Sequence, residues 1–344
     1  MKKVKFTSAI LSSVLLLCAF AGCNPATSSQ ESTPAHTCES VCETCGKCTD
    51  MDCTQDACAE KCPIHPDPNW QNYELSFMSF NINFSSSSIE GDEKQGVKSW
   101  TNRREAVLQL INDSNADLIG LQEVANWNTE EVNQRIYLEQ NIASQYEMIY
   151  FYGNVNLAMI YNKRTFNLVE TEQYWFSDTP DVESYGWDGV NYRSAVILTL
   201  EHKQTGEKIK AINTHGPLDD NGNVKAFELL AERSLSDDND MVTVLMGDFN
   251  ATPNKLGYVP IEEKLEDCRY AAMESPNRDH RTWNGYNATA TGVLDYCFTT
   301  RSANVEILTY QVHNQTFGEG YYLSDHFAVQ STIKVHRPTG DSVA

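Results

Sequence analysis

Two apolar runs with a helical pattern between them decide the fold class of this chain: residues 75–83 read LSFMSFNIN, and residues 116–123 read ADLIGLQE. Each run has the length of a buried strand and ends in polar residues. Between them, Asn102 and Glu105 have the spacing of a capping box, which would start a helix there. Apolar residues then recur with the helical period at Ala106, Val107, Leu110 and Ile111. The order strand, helix, strand is typical of an α/β fold.

Further short apolar runs continue this pattern toward the C-terminus. The predicted strands are Leu157–Tyr161, Leu168–Phe176, Ser194–Glu201, Lys208–Thr214, Met241–Met246, Leu294–Thr299 and His326–Val335. The residues Gln204, Thr205 and Gly206 predict a hairpin turn between the third and fourth of these strands. No repeat of solenoid period and no second boundary follows Tyr73, so we expect one domain over residues 70–337.

Polar side chains end or directly follow the apolar runs at six places. They are Asn81; Glu123; His215; Asp248 with Asn250; Asp295; and Asp325 with His326. One such ending means little, because strand ends carry Asx turns routinely. Six together predict strands that converge on one polar, metal-binding cleft.

These segments resemble the endonuclease/exonuclease/phosphatase family. The resemblance rests on six motifs in the family's order: SFN ending at Asn81, LQE at Glu123, NTH at His215, GDFN over residues 247–250, LDY around Asp295, and SDH at residues 324–326. The strings YWFSDTP (174–180) and RTWNG (281–285) resemble a bacterial secreted branch of that family. The resemblance implies an α/β four-layer sandwich, in which two mixed β-sheets of the deoxyribonuclease I type are flanked by helices, and it implies hydrolysis of phosphoesters.

The family pattern also implies a metal centre. Glu123 is the leading predicted ligand, with Asn81 beside it and Asp325 close by. Oxygen ligands without cysteine favour Mg²⁺, with Mn²⁺ as the alternative, over Zn²⁺.

The remaining motif residues are expected to handle water and protons. Asp248 would align or deprotonate the attacking water, and Asn250 would hold that water and the phosphate. His326, oriented by Asp295, would donate to the phosphate or relay a proton. On the opposite side, His215 would stabilise the pentavalent state or protonate the leaving group. Which of the two histidines is the general acid stays open at this point.

Other residues near the motifs have two interpretations each. Arg193 resembles a substrate-side arginine that would pair with a phosphate oxygen, and the alternative is a surface salt bridge. Trp175 and Trp283 line the pocket or belong to the core. Cys268 and Cys297 form a disulfide, or Cys297 is a buried free thiol.

The N-terminus predicts export. Three lysines, Lys2, Lys3 and Lys5, precede a short apolar run, and small residues precede Cys23. This resembles a bacterial lipoprotein signal over residues 1–22, which would leave Cys23 lipidated and the chain anchored to the cell membrane. The alternatives are an ordinary secretory signal and an uncleaved anchor. Each cleaved-signal interpretation places the protein outside the cytoplasm.

A tether and a cysteine-rich segment follow the signal. Residues 23–37 are rich in Ser, Thr, Pro and Ala, as in a flexible linker. Seven of the eleven cysteines lie within residues 38–68, which hold too few apolar residues to fold by burial. The spacing excludes an iron–sulfur motif and lacks the paired spacing of a zinc knuckle. We expect a disulfide-linked spacer; zinc storage is the alternative.

Composition limits the partners of the chain. The 344 residues carry 47 acidic and 26 basic side chains, a net charge of −21, which disfavours tight binding of long nucleic acid. A nuclease or phosphodiesterase acting on extracellular nucleic acid is the first hypothesis. A phosphatase or phosphodiesterase acting on small phosphorylated compounds or lipid headgroups is the second, and a non-catalytic surface binding protein on the same fold is the third. We expect a monomer.

Overall fold

The computed structural model describes residues 72–235, 241–287, 289 and 292–336. Within them lie fourteen strands: β1 Asn72–Asn81, β2 Leu118–Gln122, β3 Tyr146–Tyr150, β4 Ala158–Asn162, β5 Phe166–Trp175, β6 Ser194–His202, β7 Lys208–His215, β8 Val242–Asp248, β9 Leu265–Asp267, β10 Asp295–Thr300, β11 Val305–His313, β12 Thr316–Phe317, β13 Tyr321–Tyr322 and β14 Ala328–His336. The α-helices are α1 Ile89–Glu93, α2 Trp100–Asp113, α3 Gln134–Asn141, α4 Asp220–Ser234, α5 Val259–Glu262 and α6 Cys268–Ala271. Short 3₁₀ turns span Gly96–Lys98, Glu130–Val132 and Leu256–Tyr258.

Twelve of the strands form two six-stranded sheets. The first has the order β11-β14-β1-β2-β4-β3 and the second the order β5-β6-β7-β8-β10-β9. Each sheet contains one parallel pair, β1 with β2 and β7 with β8, and the other pairs are antiparallel. Helix α2 connects the first parallel pair and α4 the second. Each sheet therefore contains one β-α-β unit, the connection that parallel strands require.

The side chains of β1 show how the layers form. Leu75 and Phe77 point into a core between the two sheets, where they pack with residues of the second sheet such as Val244 and Met246. Met78 and Phe80 point the other way, into a core beneath α2. This alternation is the period of two expected of a strand buried on both faces.

The second sheet is covered on its outer side by α4 and α5, which bury residues of their own against β6, β8 and β10. The order helix, sheet, sheet, helix is a four-layer sandwich with two mixed sheets. The predicted fold class is confirmed by this architecture.

The structure corrects one predicted detail. The capping pair Asn102 and Glu105 is wrong, because α2 begins at Trp100 and Ser99 is its N-cap, accepting from the Asn102 amide at 3.3 Å. Trp100 is fully buried in the core beneath α2, so packing extends the helix one turn earlier than the capping pattern indicates. Helices α3 and α4 and strands β3, β9 and β11 have no counterpart among the predicted elements.

The signal, the tether, Cys23 and the cysteine-rich spacer lie outside the described residues, so these predictions stay predictions. Among the described residues, no helix combines the length and the apolar character needed to cross a membrane.

Candidate active site

The ends of the strands bring the polar motif residues to one edge of both sheets. In the first sheet Asn81 pairs with Gln122, so Glu123 follows directly at the carboxyl end of β2. In the second sheet His215 pairs with Asp248 across the parallel pair β7 and β8. Carboxyl ends of parallel strands are where open α/β sheets place their ligands. The prediction that Asp295 and His326 also end strands is wrong, because Asp295 begins β10 and His326 precedes β14. Both strands run antiparallel to their neighbours, so their starts lie at this same edge.

Four of the motif residues approach the carboxylate of Asp248. Its Oδ2 accepts from Asn81 Nδ2 at 3.0 Å and lies 3.4 Å from His215 Nε2 and 3.7 Å from His326 Nε2. Its Oδ1 accepts from the Asn250 backbone amide at 2.9 Å. All five residues were predicted from the sequence as site residues, and the structure brings them together.

Asp295 holds the ring of His326. Asp295 begins β10 opposite Asp248, and its two oxygens lie 2.9 and 3.1 Å from His326 Nδ1. Thr282 Oγ1 accepts from the Asp295 backbone amide at 3.0 Å, which fixes the start of the strand. The ring therefore presents Nε2 to Asp248, and its orientation is set from behind.

The surroundings of the two histidines give them different charge states, one cationic and one neutral. Burial lowers the pKa of His326, but Asp295 and Asp248 outweigh it and hold that pKa well above its ordinary value. Burial and Arg193 lower the pKa of His215 despite its contact with Asp248. At neutral pH His326 is then a cation and His215 a neutral imidazole. Burial opposes ionisation of Asp248, but His326 and His215 hold its pKa well below the usual range.

Glu123 and Asp325 form the acidic side of the site. Glu123 accepts from Asn81 Nδ2 at 3.2 Å and from the Phe84 amide at 2.9 Å. Its backbone adopts φ of 61°, a left-handed conformation that costs about 1–2 kcal/mol for a residue other than glycine. In the described part of the chain, neither Glu123 nor Asp325 has a basic side chain within ion-pair distance. Burial raises the pKa of Asp325; His326 lowers it, and Glu123 raises it further.

This donor set fits a divalent cation. Two neighbouring carboxylates without a basic partner repel each other, and a hard cation with oxygen ligands would relieve that repulsion. Asn81 uses its amide nitrogen to hold Glu123 and Asp248, and its oxygen accepts from the Asn83 amide at 3.0 Å. A second lone pair on that oxygen stays available to a cation.

Asp248, Asp295 and His326 form a second group that could hold a metal. Oxygen and nitrogen atoms of Asp248, Asp295 and His326 all lie within 4.8 Å of one another, a spacing that a metal could use. The nitrogen of His326 that faces Asp295 is already hydrogen-bonded to it, and an imidazole must be neutral to ligate a metal. The geometry of this trio is better suited to orienting and charging His326 than to binding a cation.

Arg193 supplies a positive charge beside the site. It lines a cleft of about 270 Å³ together with Glu123 and His215. Among the described residues no ion pair of Arg193 is found and its buried Nε has no hydrogen-bond partner, so they give no support to the alternative of a surface salt bridge. Burial lowers the pKa of Arg193, while Asp248 and Glu123 raise it.

Asn250, predicted to hold the attacking water and the phosphate, also links two loops of the site. Its side-chain nitrogen donates to the carbonyl of Gly216 at 3.0 Å, and the Gly216 amide donates to the Asp248 carbonyl at 2.8 Å. A Cβ on Gly216 would lie 2.3 Å from the Phe249 oxygen, so only glycine allows the ends of β7 and β8 to approach this closely.

Sequence reasoning missed Arg103, which holds two loops of the site in place. Its guanidinium is fully buried and donates to the carbonyls of Ile82, Asn83 (2.6 Å) and Leu323 (3.1 Å). It thereby ties the segment after Asn81 to the segment before Asp325. The available signal was its position, since an arginine stands where the buried face of α2 calls for an apolar residue.

Sequence reasoning also missed a pair of buried amides between the sheets. Gln122 Nε2 donates to Asn213 Oδ1 at 2.7 Å, and Asn213 Nδ2 donates to the carbonyls of Leu121 (2.9 Å) and Ala158 (3.0 Å). The pair lies directly behind Glu123 and His215, each one or two residues away in sequence. It fixes the distance between the two halves of the site.

The residues with two interpretations separate clearly. Trp175 is buried in the core between the sheets, whereas Trp283 is 37% exposed and forms an isolated bridge with His326. Cys268 and Cys297 are both buried free thiols, so the disulfide alternative is wrong. Burial raises the pKa of both thiols.

A family model and solved structures match this architecture. Residues 78–326 match the model described as "Endonuclease/Exonuclease/phosphatase family", and the chain belongs to that family. An uncharacterized protein of Acanthamoeba polyphaga mimivirus is 31% identical over 174 residues, which are 46% of this chain and 62% of the viral protein.

Three solved structures show the same fold. A mannosyl-6-phosphatase of Bacteroides thetaiotaomicron is 22% identical, with a TM-score of 0.66 over 75% of this chain and 99% of that one. A family member from Bacteroides vulgatus is 21% identical, with a TM-score of 0.66 over 77% and 100%. D. rerio TDP2, complexed with a single-strand DNA product, is 16% identical, with a TM-score of 0.56 over 76% and 98%.

Proposed function

We propose that the chain is a divalent-metal-dependent phosphoester hydrolase that acts outside the cytoplasm, anchored through a lipidated Cys23. The observation that carries the hydrolase assignment is the carboxylate of Asp248, which two histidines and Asn81 approach within 3.7 Å beside the acidic pair Glu123 and Asp325. Membership of the endonuclease/exonuclease/phosphatase family supports it.

Each side chain has a role that follows from its contacts. Glu123, Asp325 and the oxygen of Asn81 would hold Mg²⁺ or Mn²⁺, which supplies positive charge to the phosphoryl oxygens. Asp248 accepts a hydrogen bond from the attacking water, because it stays ionised and lies between the histidines. The water oxygen forms a bond to phosphorus as the bond to the leaving oxygen breaks.

Proton transfer and charge stabilisation fall to the remaining groups. His326, fixed by Asp295, donates through Nε2 to a phosphoryl oxygen. Arg193 pairs with a second phosphoryl oxygen from the opposite wall of the cleft. Asp248 takes a proton from the attacking water, and the neutral His215, 3.4 Å from Asp248, accepts that proton and passes it to the leaving oxygen.

The charge of the cleft walls reverses the order of the first two substrate hypotheses. A nuclease would need a basic path for the nucleic-acid backbone, and the described cleft walls contribute two basic side chains, Arg193 and Arg135. This favours small phosphorylated compounds over long nucleic acid.

The test uses the full chain in detergent. Phosphate release from sugar phosphates, inositol phosphates and glycerol 3-phosphate is measured beside the degradation of plasmid DNA, single-stranded DNA and RNA. We expect hydrolysis of at least one substrate, loss of activity in EDTA and recovery with Mg²⁺ or Mn²⁺. Glu123→Gln and Asp248→Asn should each lower kcat/KM by about 10²-fold or more.

Glu170→Gln is the matched control, because Glu170 is an exposed carboxylate on β5. It should keep the activity of the unchanged chain. Full activity in Glu123→Gln and Asp248→Asn would remove the assignment, and inactivity toward every substrate would favour a binding protein.

A further inference from the structure

A second hollow adjoins the cleft that holds Arg193. Its volume is about 340 Å³, against about 270 Å³ for the cleft. The two share Phe84, Asn154 and Asn156 in their walls, so they adjoin each other, and we call the two together the trough. We call the second hollow the aromatic bay, defined by Phe84, Asn126, Trp127, Arg135, Tyr150, Tyr152, Gly153, Asn154 and Asn156.

The bay is built and not merely a surface depression. The Trp127 Nε1 donates to the Ser85 carbonyl at 3.1 Å and to Ser85 Oγ at 3.0 Å, which fixes the indole. Phe84 packs edge-on against Trp127, with ring centroids 5.6 Å apart. Arg135 covers one face of the Tyr150 ring at 4.7 Å, held there by its ion pair with Glu139 at 2.8 Å.

Polar groups line the bay between these rings. Asn126 and Asn154 are exposed, and Asn156 is half-buried with its Oδ1 3.4 Å from the Tyr150 hydroxyl. Tyr152 is 66% exposed and stands edge-on to the buried Trp175 at 5.5 Å. Rings on the walls with amides between them offer apolar faces together with both hydrogen-bond donors and acceptors.

We infer that the aromatic bay binds the sugar ring of a phosphorylated monosaccharide, whose phosphate occupies the adjoining cleft. This inference rests on the proposed function. A sugar ring has apolar C–H faces, which pack against aromatic rings, and hydroxyls that both donate and accept, which match the three asparagines. The bay's volume of about 340 Å³ accommodates one sugar ring, and a single basic residue, Arg135, lines it. An uncharged polar ring fits this lining better than a second phosphate does.

Position supports the same substrate. Phe84 belongs to the wall of both hollows, and its backbone amide donates to Glu123 Oε2 at 2.9 Å. A group that packs on Phe84 in the bay is therefore separated from Glu123, on the acidic side of the site, by Phe84 alone. Because the two hollows share three wall residues, one small molecule can place its ring in the bay and its phosphate beside Arg193.

The experiment compares three kinds of phosphate monoester on the full chain. Steady-state kcat/KM is measured for hexose 6-phosphates, for glycerol 3-phosphate as the acyclic reference, and for nucleoside 5′-monophosphates. Variants are Tyr152→Ala and Trp127→Phe, with Tyr270→Ala as the matched control, since Tyr270 is also exposed (53%) and lies outside the trough. We expect hexose 6-phosphates to be preferred over glycerol 3-phosphate. Tyr152→Ala should lower this preference about tenfold, and Tyr270→Ala should leave it unchanged.

A binding measurement separates the inference from the proposed function. In EDTA, where no hydrolysis is expected, titration of the free hexose is followed by tryptophan fluorescence and calorimetry. Saturable binding that weakens in Tyr152→Ala supports the bay. Activity on phosphate esters with an unchanged preference in Tyr152→Ala and Trp127→Phe overturns the bay and leaves the hydrolase standing. A preference for nucleoside monophosphates over hexose 6-phosphates overturns it as well, whereas inactivity on every ester removes the proposed function itself.

Discussion

His215 and His326 lie on opposite sides of one carboxylate and carry different charges. Burial lowers the pKa of both rings, and the charged groups beside them make the difference. Asp295 and Asp248 raise the pKa of His326, whereas Arg193 lowers that of His215 further. Two titratable groups that are driven apart in this way are suited to different tasks in one reaction. At the scale of single residues, the site is thus defined as much by what touches the histidines from behind as by the histidines themselves.

Asp295→Asn tests this arrangement. The amide keeps the shape of the side chain but removes the charge that orients His326 and raises its pKa. We expect kcat to fall by about 10²-fold or more with KM nearly unchanged, and the alkaline limb of the kcat–pH profile to move to lower pH. Steady-state kinetics from pH 5 to 10 measure both. A profile of unchanged shape would contradict the orienting role.

At the scale of elements, α2 both covers a sheet and braces the site. Its buried face carries Trp100, Val107, Leu110 and Ile111, and Arg103 stands among them. Arg103 donates to four carbonyls, and none of the residues that carry them lies in a strand: Lys98, Ile82, Asn83 and Leu323. A buried cation of this kind stabilises only while all its acceptors are in place.

Arg103→Met should expose that dependence. The change leaves the carbonyls of Asn83 and Leu323 without this donor, and we expect the free energy of unfolding to fall by about 3 kcal/mol. Activity should fall further than stability explains, because the loops bearing Asn81 and Asp325 loosen. Arg104→Met, one residue along the helix and half-buried, should cost less than about 1 kcal/mol. Urea unfolding compares the two variants, and equal losses would argue against the brace.

The hairpin of β6 and β7 carries a pH-dependent element of its own. His202 is 4% exposed, stacks on Tyr73 with ring centroids 4.2 Å apart, and shares a 3.0 Å hydrogen bond with Thr205. Burial lowers its pKa to about 4. The unfolded chain, with a histidine pKa near 6.5, therefore takes up the proton first as the pH falls.

The stability that neutral His202 contributes is present above pH 6.5 and is lost as the pH falls toward 4. We expect a loss of up to about 3 kcal/mol over this window, which His202→Gln should largely abolish. His336→Gln, on the half-exposed end of β14, should retain it. Unfolding in urea at half-unit pH steps measures the slopes, and parallel curves for the unchanged chain and His202→Gln would contradict the assignment.

At the scale of the whole molecule, the site exists because two sheets meet at a fixed separation. Glu123 and Asn81 come from one sheet, and Asp248 and His215 from the other. The amide pair Gln122 and Asn213 spans the gap just behind them.

Gly120 leaves room for this pair. A Cβ at that position would lie 2.9 Å from the Asn213 side chain, which is closer than any relaxed contact. The close approach of the sheets at this point therefore depends on glycine in β2 and on one specific hydrogen-bonded pair in the core.

Asn213→Leu should separate the two halves energetically. It leaves Gln122 Nε2 and two strand carbonyls without this partner, and we expect a loss of about 2–4 kcal/mol in the free energy of unfolding. Hydrogen exchange should show the greatest loss of protection in β2 and β7. Gln122→Leu with Asn213→Leu should recover part of the loss, because neither buried amide is then left unpaired. Additive losses in the double variant would contradict the coupling.

Much of the site was within reach of the sequence. Strand ends are marked by a change from apolar to polar residues, and Asn81, Glu123, His215, Asp248, Asp295 and His326 stand at such changes in one chain. The strand, helix, strand order accounts for the convergence of Asn81, Glu123, His215 and Asp248, because it puts the carboxyl ends of parallel strands at one edge. Asp295 and His326 reach the same edge because β10 and β14 start there as antiparallel strands. The roles of these residues, and the lipid anchor at Cys23, remain predictions.

Other features escaped the sequence for physical reasons. Helix α4 begins with Asp219 as N-cap and contains Gly222 and Asn223, so its start has weak helical propensity and is decided by packing of Phe227 and Leu230 on the second sheet. Arg103 stands on the apolar face that Val107 and Leu110 mark in the sequence, but the loop carbonyls that it binds come from distant segments that no local pattern brings together. Helix α2 starts at Trp100, earlier than the capping pair Asn102 and Glu105 predicts, because burial of Trp100 stabilises the additional turn.

The sequence by itself determined the fold class and the set of polar residues that meet at the sheet edge, because hydrophobic period and strand-end chemistry are local properties. Only the tertiary structure decided which histidine is charged, how Gln122 and Asn213 join the sheets, and that an aromatic bay continues from the cleft. These depend on residues far apart in the chain that come within a few ångströms once the two sheets pack, and no local pattern records such distances.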